Sequence, residues 1–591
     1  MAYSASKVEA LEKIVTAEKS TLGDSIRMVV VTDFEKTSAT SLVEGILDDE
    51  AGGAINLAVT SGSISSSTAD DDLTLDTGST GGAGGAIALG EFGNAGGNYI
   101  NDLNLDTDGT TDGSVTFHQN VLLDAGADTA DITLTGSGDI IISNTLSIDT
   151  EQGNNADGGT VNFGAANIYA DAGGYTLTIN TATTNGGGTG GDVTFGLVDD
   201  NASGNNFLTS LVVDADGAGT NGTVNLSQNI SVDEGDIDID GNAAVTASIT
   251  LDTEQGNNGA AGDIRLEGAN VYASGAANLV LTLNTAVTGA NNAGDVYTGG
   301  FSDNGGANNF FNQLLITATS GAATAGDFRP AGNIQLDDDG VGGVAVFSFA
   351  GDDVLLGATT SIDTQQGDNA AGGTVNLSAG DISATGAGYD LTIDTSTTNA
   401  GSNGGAVQIA LVDNGGGAFI NDLTISTGEG TGGTAGSVTL HNNISLDDNG
   451  GGDTGDLTIN GGGSLILSAD VTIATETGGQ NGGNVDISDT VLTADAAPLD
   501  LVINTNTAGT TAGNVSLGAA GNAGGQYVND VTINTDGGTN DGSLTLQGVF
   551  NMDTSGVDLA DFTKSSGGDI IVAADATINT ESGEDANAGN I

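Results

Sequence analysis

The sequence predicts an all-β chain that folds as a right-handed parallel β-helix, a β-solenoid of about 108-residue repeats, with a short α/β segment at its N-terminus. A long internal repeat and an unusual glycine content predict this fold. One apolar-centred segment recurs five times, with Leu105, Val213, Ile316, Ile425 and Ile533 at its centre, so the numbering advances by 108, 103, 109 and 108 from copy to copy. A repeat built of short strands and glycine-rich turns is typical of an elongated solenoid rather than a globular enzyme.

Short strands of three kinds alternate from about residue 50 onward. The first kind reads L-x-I-x-T, the second follows a small-residue turn and reads V-x-Φ, and the third is a shorter N-Φ-Y-A. Examples are residues 73–77, 177–181, 281–285, 391–395 and 501–505 for the first kind, 161–163 and 193–195 for the second, and 167–170 and 270–273 for the third. Their period-2 alternation places aliphatic side chains on one face and Thr, Asn and Asp on the other.

The spacing of equivalent strands gives the length of one turn. From Ile148 to Ile179 the numbering advances by 31, which leaves room for three short strands and three corners. We therefore expect roughly four turns in each repeat and a rod on the order of 100 Å long at about 4.8 Å per turn. The 99 glycines fit the tight corners. The near absence of proline fits strands whose N–H groups are all engaged.

Residues 1–49 form a separate domain in this interpretation, and residues 50–591 form the solenoid. Residues 4–21 have apolar residues at helical spacing, and residues 27–34 read as a strand. This stretch resembles a piece of the second motor domain of superfamily 2 helicases. No Walker A loop or DEAD-type box occurs in the sequence, so the segment is interpreted as a cap or a fused piece. Residues 581–591 match the start of a unit that continues in an earlier copy, so we expect the chain to be a fragment.

The TIDTE, GGxV and LTINT segments resemble the large bacterial surface and secreted β-helical repeat proteins of the filamentous-haemagglutinin and adhesin type. The resemblance covers about nine tenths of the chain. It implies export and a role in adhesion, surface coating or matrix, and hence an extracellular or cell-surface location. No signal peptide pattern is present in this chain itself.

Charge excludes some partners and favours others. The formal net charge is −70, with 78 acidic and 8 basic residues, and cysteine is absent. Only Arg265, Arg329 and Lys564 are basic beyond residue 50. Nucleic acid and anionic lipid are therefore not expected as partners, because both are bound through Lys and Arg. No apolar run is long enough for membrane insertion. Cations, above all Ca²⁺, are the counterions that such a surface would attract.

Acidic clusters recur once per repeat and are the candidate metal site. Most of them follow an N-Φ-x-Φ strand, as in NVLLD and NISVDE. One interpretation is a peripheral Ca²⁺ site of carboxylates and backbone carbonyls; the alternative is a solvated corner that keeps the rod soluble. The candidate ligands are Asp124, Asp233, Glu234, Asp337, Asp338, Asp339, Asp447, Asp448 and Asp553.

Catalytic residues are not predicted. His118 and His441 share one repeat position, but the other copies carry Ser227, Ala331 and Gln547 there, so a strand-end role is expected. A polysaccharide lyase of the β-helix type would need Arg or Lys to stabilise enolate charge, and these are scarce. A glycosidase would need two carboxylates at a defined separation, and no coil stands out.

The function expected from the sequence is therefore structural: a rod-like stalk or fibre segment of a bacterial surface or matrix protein, stabilised by Ca²⁺ and self-assembling end to end. A binding module for glycan or host protein is the alternative, and a polysaccharide-degrading enzyme is a second alternative. The repeated aromatic position, which Tyr99 and Tyr527 occupy in two of the copies, is interpreted as core.

Overall fold

The structure is a computed structural model, and it shows an all-β chain whose parallel coils stack into a solenoid of about 16 turns. This confirms the predicted fold class. The described residues are 53–591 except for 59–61, 69–70, 94–97, 125–128, 154–155, 201–205, 257–258, 276–277, 304–309, 339–342, 368–369, 387, 415–417, 448–453, 478, 497, 523–525, 554–558, 566 and 583–587. The predicted helix at residues 4–21 and the predicted strand at residues 27–34 lie outside the described residues.

The described residues form strands and no helix. The strands of the first half are β1 (Ile55–Leu57), β2 (Leu73–Asp76), β3 (Ile87–Leu89), β4 (Leu103–Asp106), β5 (Val115–Phe117), β6 (Val121–Leu122), β7 (Ile132–Thr135), β8 (Ile140–Ile142), β9 (Leu146–Asp149), β10 (Val161–Asn162), β11 (Ile168–Ala170), β12 (Tyr175–Asn180), β13 (Val193–Phe195), β14 (Leu208–Asp214), β15 (Thr223–Leu226), β16 (Ile230–Ser231), β17 (Ile237–Asp240), β18 (Asn242–Val245), β19 (Ile249–Asp252), β20 (Ile264–Ala273), β21 (Leu279–Asn284), β22 (Val296–Phe301), β23 (Phe311–Thr317) and β24 (Phe328–Pro330). Those of the second half are β25 (Ile334–Gln335), β26 (Val346–Ala350), β27 (Asp353–Leu356), β28 (Thr360–Asp363), β29 (Thr374–Leu377), β30 (Asp381–Ala384), β31 (Leu391–Asp394), β32 (Val407–Ile409), β33 (Leu423–Ser426), β34 (Val438–Leu440), β35 (Ile444–Ser445), β36 (Leu457–Asn460), β37 (Ser464–Leu467), β38 (Val471–Ala474), β39 (Val485–Ala494), β40 (Leu501–Asn504), β41 (Val515–Ala520), β42 (Val531–Asn534), β43 (Leu544–Leu546), β44 (Val549–Asn551), β45 (Phe562–Lys564), β46 (Ile570–Val572) and β47 (Thr577–Asn579).

Three parallel ladders run along the rod, and the chain visits each of them once per turn. The first ladder is β2, β4, β7, β10, β13, β15, β18, the second half of β20, the end of β22, β25, β28, β31, β33, β36, the first halves of β39 and β41, β43 and β46. The second is β1, β3, β5, β8, β11, Val198, β16, β19, β21, β23, β26, β29, β32, β34, β37, the second half of β39, the end of β41, β44 and β47. The third is Ile64, Phe92, β6, β9, β12, β14, β17, the first halves of β20 and β22, β24, β27, β30, Val412, β35, β38, β40, β42 and β45.

The sequence repeat and the turn of the solenoid do not have the same period. Leu105 of β4 and Ile425 of β33 are equivalent residues three repeats apart, and eleven successive pairings in the first ladder connect them. Val213 of β14 and Ile533 of β42 are likewise three repeats and eleven pairings apart in the third ladder. Three repeats therefore make eleven turns, and one repeat makes 3⅔.

This period corrects the expectation of roughly four turns per repeat. The number of turns differs from that expectation because the corners within one repeat vary greatly in length. At about 4.8 Å per turn, 16 turns make a rod of about 80 Å rather than 100 Å. The missing third of a turn has a further consequence. Every feature of the repeat moves to the preceding one of the three ladders in the following copy and returns to its first ladder only after three copies, about 53 Å along the rod.

The core is a continuous apolar column inside the three ladders. Strands alternate buried and partly exposed residues, as in β12 and β21, which confirms the predicted inward face. Phe163 and Phe195 are fully buried as predicted, and the ring of Phe163 lies 5.9 Å from that of Phe117. The repeated aromatic position is only partly core, since Phe207 and Phe310 are buried whereas Tyr99, Phe419 and Tyr527 are half-buried.

A threonine-to-glycine hydrogen bond closes the corner after many L-x-I-x-T strands. The buried hydroxyl of Thr395 donates to the carbonyl of Gly405 at 2.8 Å, and the N–H of Gly405 donates back to the carbonyl of Thr395. The same hydroxyl bond links Thr77–Gly85, Thr150–Gly159, Thr181–Gly191, Thr253–Gly262, Thr285–Gly294, Thr475–Gly483, Thr505–Gly513 and Thr535–Gly542. A Cβ on Gly405 would lie 1.6 Å from the carbonyl oxygen of Gly373 on the adjacent coil, so no side chain fits there.

Columns of Asp and Asn side chains tie each coil to the next. The Asp263 carboxylate accepts the N–H of Asp295, Asp295 accepts that of Asp327, and Asp327 accepts that of Asp353. The asparagines of the N-Φ-x-Φ segments do the same; the Asn443 oxygen, for instance, accepts the N–H of Thr472 at 2.7 Å. These bonds explain why polar residues precede so many strands: each saturates a backbone donor at a corner where the ladder is interrupted. Among the described residues no helix is long and apolar enough to cross a membrane.

Candidate functional site: the acidic corners

The predicted acidic residues lie at corners directly after short strands, as the sequence indicated. Asp124 follows β6, Asp233 follows β16, Asp337 follows β25, Asp447 follows β35 and Asp553 follows β44. Asp339 and Asp448 lie outside the described residues. Because the repeat makes 3⅔ turns, these five corners belong in turn to the third, second, first, third and second ladders. The structure therefore does not gather them into one acidic face.

Burial separates the predicted ligands into two groups. Asp337, Asp338 and Asp447 have exposed fractions of 0%, 1% and 5%, so the interpretation as a solvated corner does not describe them. Asp124, Asp233 and Asp553 are half-buried, and Glu234 is exposed with a positive φ of 68°. Buried carboxylates need compensation by hydrogen bonds or a cation, because removing their charge from water is costly.

An asparagine lies one coil below three of these acids, a residue that the sequence analysis missed. Backbone hydrogen bonds set the stacking: the N–H of Asp447 donates to the carbonyl of Ile420 at 3.1 Å, and Asn421 is the next residue. The N–H of Asp124 bonds to Ile100 in the same way, before Asn101, and the N–H of Asp553 bonds to Val528, before Asn529. Asn101, Asn421 and Asn529 have exposed fractions of 8%, 6% and 3%.

The orientation of these amides is fixed by carboxylates on the coil below. The Nδ2 of Asn101 donates to Asp72 at 3.0 Å, that of Asn421 to Asp390 at 3.0 Å and that of Asn529 to Asp500 at 2.8 Å. An amide that turns its NH₂ group downward turns its oxygen toward the coil above, which carries the acidic corner. The Oδ1 atoms of all three asparagines are buried and meet no hydrogen-bond donor among the described residues.

A glutamate lies on the coil above each of these corners, buried at the first and fourth corners and half-buried at the fifth. Glu151, Glu476 and Glu581 occupy the same position of the repeat, and Glu151 and Glu476 have exposed fractions of 2% and 9%. Neighbouring bonds hold that coil in place: the N–H of Gln152 donates to the carbonyl of Leu123 at 3.3 Å, and the hydroxyl of Thr477 donates to Asp447 at 2.7 Å. Each corner thus stacks an amide oxygen, an aspartate and a glutamate on three successive coils.

The electrostatics of the first corner show crowded negative charge. Burial raises the pKa of Asp124, although a hydrogen bond from the Gly153 N–H opposes the shift. Burial also raises the pKa of Asp149 on the next coil, and the charge of Asp124 raises it further. The Oδ1 of Asp124 is buried and meets no hydrogen-bond donor in the described part of the chain. The amide oxygen of Asn101 and the carboxylates of Asp124 and Asp149 are therefore crowded at one corner.

The second and third copies differ from this arrangement. Thr209 replaces the asparagine in the second copy, and Gln365 replaces the glutamate in the third, where Asp337 and Asp338 are both buried. Across residues 53–591 as described, no group of three or more His, Asp or Glu side chains is placed to hold a metal ion by itself. Any metal at these corners would thus need the amide oxygen or backbone carbonyls as well as the predicted acids.

The two arginines of the rod are engaged on its surface. Arg265, Tyr297 and Arg329 are in register on three coils, with the Arg265 guanidinium 4.2 Å and the Arg329 guanidinium 5.6 Å from the centroid of the tyrosine ring. Arg329 pairs with Asp327 at 2.7 Å and with Asp295 at 3.1 Å. These cations neutralise the aspartate column described above rather than forming a free basic patch.

The histidines occur at strand ends, next to a serine of the following coil. The Nδ1 of His118 is 2.5 Å from the Oγ of Ser143, and that of His441 is 2.7 Å from the Oγ of Ser468. His118 and His441 are three repeats apart and lie on the same ladder, as the 3⅔-turn repeat requires. Three of the five copies have no histidine at this position, so the pair is not a feature of the repeat.

Comparisons with known proteins identify no relative. No family model, no curated protein and no solved structure matches the chain.

Proposed function

We propose that this chain is structural: the rod of an exported stalk or fibre segment of a bacterial cell-surface or extracellular-matrix protein. The observation that carries the proposal is the three parallel ladders that run through the described chain without a break. Continuous backbone hydrogen bonding around a continuous apolar column makes a stiff spacer. Its acidic exterior keeps neighbouring rods apart through like-charge repulsion.

The 3⅔-turn repeat supports a rod more than a one-sided binding surface. Equivalent residues of neighbouring copies point in three directions, so the repeat does not bring its equivalent side chains together on one face. A partner that read one face would meet the same motif only about every 53 Å. A spacer, by contrast, needs only uniform properties around its axis.

End-to-end association is part of the proposal. In the last described strands, Ile570, Ile571 and Val572 have exposed fractions of 59%, 45% and 61%. Ile570 and Val572 are in register with Leu544 and Leu546, which are buried in the coil below. An exposed ladder edge with apolar side chains pairs with a further strand, which either a continuation of the same chain or a second copy could supply; the end-to-end contact is the second of these.

Electron microscopy of the purified chain tests the proposal. We expect rods of about 80 Å at low concentration and multiples of that length at high concentration. The variant Ile570→Glu/Val572→Glu should keep the rods and lose the multiples. Compact particles in place of rods would refute the structural proposal. Rods that stay monomeric in sedimentation at every concentration would refute only the end-to-end contact.

A binding module for glycan is the second candidate function, and the half-buried Tyr99, Phe419 and Tyr527 favour it. These aromatic rings share one repeat position, and partly exposed rings offer apolar faces for stacking. A glycan array probed with the wild-type chain and with Tyr99→Ser/Tyr527→Ser decides this candidate. Binding that the double substitution abolishes would establish the module; an array without any binding would remove it.

A further inference from the structure

We propose that the corners containing Asn101, Asn421 and Asn529 each bind one calcium ion, held between the asparagine Oδ1 and the carboxylates of the two coils above. The ligand sets are Asn101, Asp124 and Glu151 at the first corner, Asn421, Asp447 and Glu476 at the fourth, and Asn529, Asp553 and Glu581 at the fifth. Acidic residues alone do not carry this inference; the buried amide oxygens beside them do.

The amide oxygens indicate a cation because they face carboxylates while deprived of a donor among the described residues. Each NH₂ group donates to an aspartate of the coil below. If the amide rotated to point its NH₂ group upward, its oxygen would face that aspartate, and two acceptors would lie opposite each other. A buried acceptor opposite another acceptor costs free energy in a low-dielectric site. A cation removes this conflict at all three corners at once.

Calcium fits the chemistry of these ligands. It accepts amide, carboxylate and carbonyl oxygens in an irregular shell of six to eight, whereas Mg²⁺ requires a nearly ideal octahedron. Two carboxylates balance a divalent charge, and soft ligands are missing because the sequence has no cysteine. The site joins three successive coils. Binding should therefore stabilise the stacking of the rod along its axis.

The second copy is an internal control. Thr209 there replaces the asparagine, and its corner keeps Asp233 and Glu254. If acidic charge alone held calcium, this corner would bind as well as the others. If the amide is required, it would not.

Equilibrium dialysis of the full chain against ⁴⁵Ca²⁺ tests the proposal, at about 0.15 M KCl so that the Debye length is about 8 Å and diffuse attraction is screened. Terbium luminescence provides a second readout, because the chain has no tryptophan and Tyr99 and Tyr527 lie close in sequence to two of the asparagines. We expect saturable binding of one ion per intact corner and a rise in melting temperature with calcium.

Three variants locate the ions. Asn101→Leu/Asn421→Leu/Asn529→Leu should lose one ion per substituted corner, and Asp124→Asn/Asp447→Asn/Asp553→Asn should do the same if the leucine variant does not fold. The control Asp171→Asn/Glu429→Gln/Asp489→Asn removes three exposed charges and should keep every ion. Unchanged binding in both corner variants would overturn the proposal, as would binding that never saturates and disappears in salt.

Discussion

Asp353 shows how stacking coils in register places carboxylates close to one another. It belongs to the aspartate column of β24 and β27, where its N–H donates to the Asp327 carboxylate of the coil below. Burial, and then the charges of Asp327, Asp352 and Asp381, raise its pKa from 3.8 to about 6. Burial and the neighbouring carboxylates raise the pKa of Asp240 to about 6 as well. The repulsion arises where carboxylates occupy the same position on successive coils, because such coils are only about 4.8 Å apart.

The raised pKa of Asp353 predicts how stability depends on pH. The folded state binds the proton of Asp353 more tightly than the unfolded state does. The ionised carboxylate therefore lowers the free energy of unfolding, by its full amount above about pH 6, and the rod gains stability as pH falls toward about 4. We expect Asp353→Asn to raise the melting temperature near neutral pH and to flatten the dependence between about pH 4 and 7.

Thermal unfolding followed by circular dichroism at several pH values measures this effect. Asp489→Asn is the matched control, because Asp489 is exposed on the outside of β39. An equal shift in both variants would assign the gain to net charge alone and contradict the role of the column.

The sequence predicts where the acidic residues lie along the strands and corners, but it does not predict which side chains of neighbouring coils lie beside them. The acidic corners after N-Φ-x-Φ strands are where the sequence placed them. Asn421 was missed because its neighbours Asp390 and Asp447 are far from it along the chain, and only the register of successive coils brings the three together. Turn length varies, from the short step between Val224 and Ala243 to the much longer one between Val161 and Val193, and this variation hides the register.

At the scale of elements, the threonine-to-glycine bond connects the end of one strand to the start of the next. The Thr395 hydroxyl, at the end of β31, reaches Gly405 just before β32. Valine has the same shape without the hydroxyl, so Thr395→Val leaves a buried carbonyl without its donor. We expect a loss of about 1–3 kcal/mol in the local free energy of opening.

Native-state hydrogen exchange at β31 and β32 measures this loss, because a repeat protein opens locally rather than all at once. The control is Thr392→Val on the same strand, whose side chain is on the outer face. Similar exchange in the two variants would show that the hydroxyl bond contributes nothing beyond strand propensity.

Most strands could be predicted from alternation alone, and the exceptions have a physical reason. The segment at residues 270–273 reads as a separate short strand, yet it is the second half of β20, which passes from the third ladder to the first without a break. The intervening Glu267 and Gly268 give no apolar alternation that would show continuity. The number of strand positions per repeat depends on such joins, so the sequence predicts roughly four turns per repeat and the structure has 3⅔.

At the scale of the molecule, the number of strand positions per repeat predicts which deletions the rod tolerates. Three repeats contain eleven turns of three ladder positions, so one repeat contains eleven positions, and each strand pairs with those three positions before and after it. Removing residues 314–422 takes out eleven positions, from Leu314 to the residue before its equivalent Leu423. Every remaining strand then still meets a neighbour of its usual type, although the later part of the rod turns by one third of a turn. We expect a folded rod shorter by about 18 Å.

Removing residues 314–411 instead takes out ten positions and shifts all later strands against their neighbours. The short bridge at Val412 would then occupy the place of the long strand β23, and corners that carry Gly–Gly pairs would meet side chains. We expect protease sensitivity at this junction and loss of strand signal, while the 314–422 variant resists proteolysis like the wild type. Small-angle scattering gives the two lengths.

If both deletions fold equally well, pairing in this solenoid does not depend on strand type, and the eleven-position repeat does not determine which strands pair. If only the eleven-position deletion folds, length can change by whole repeats alone, which is how a spacer could vary its reach without losing its core.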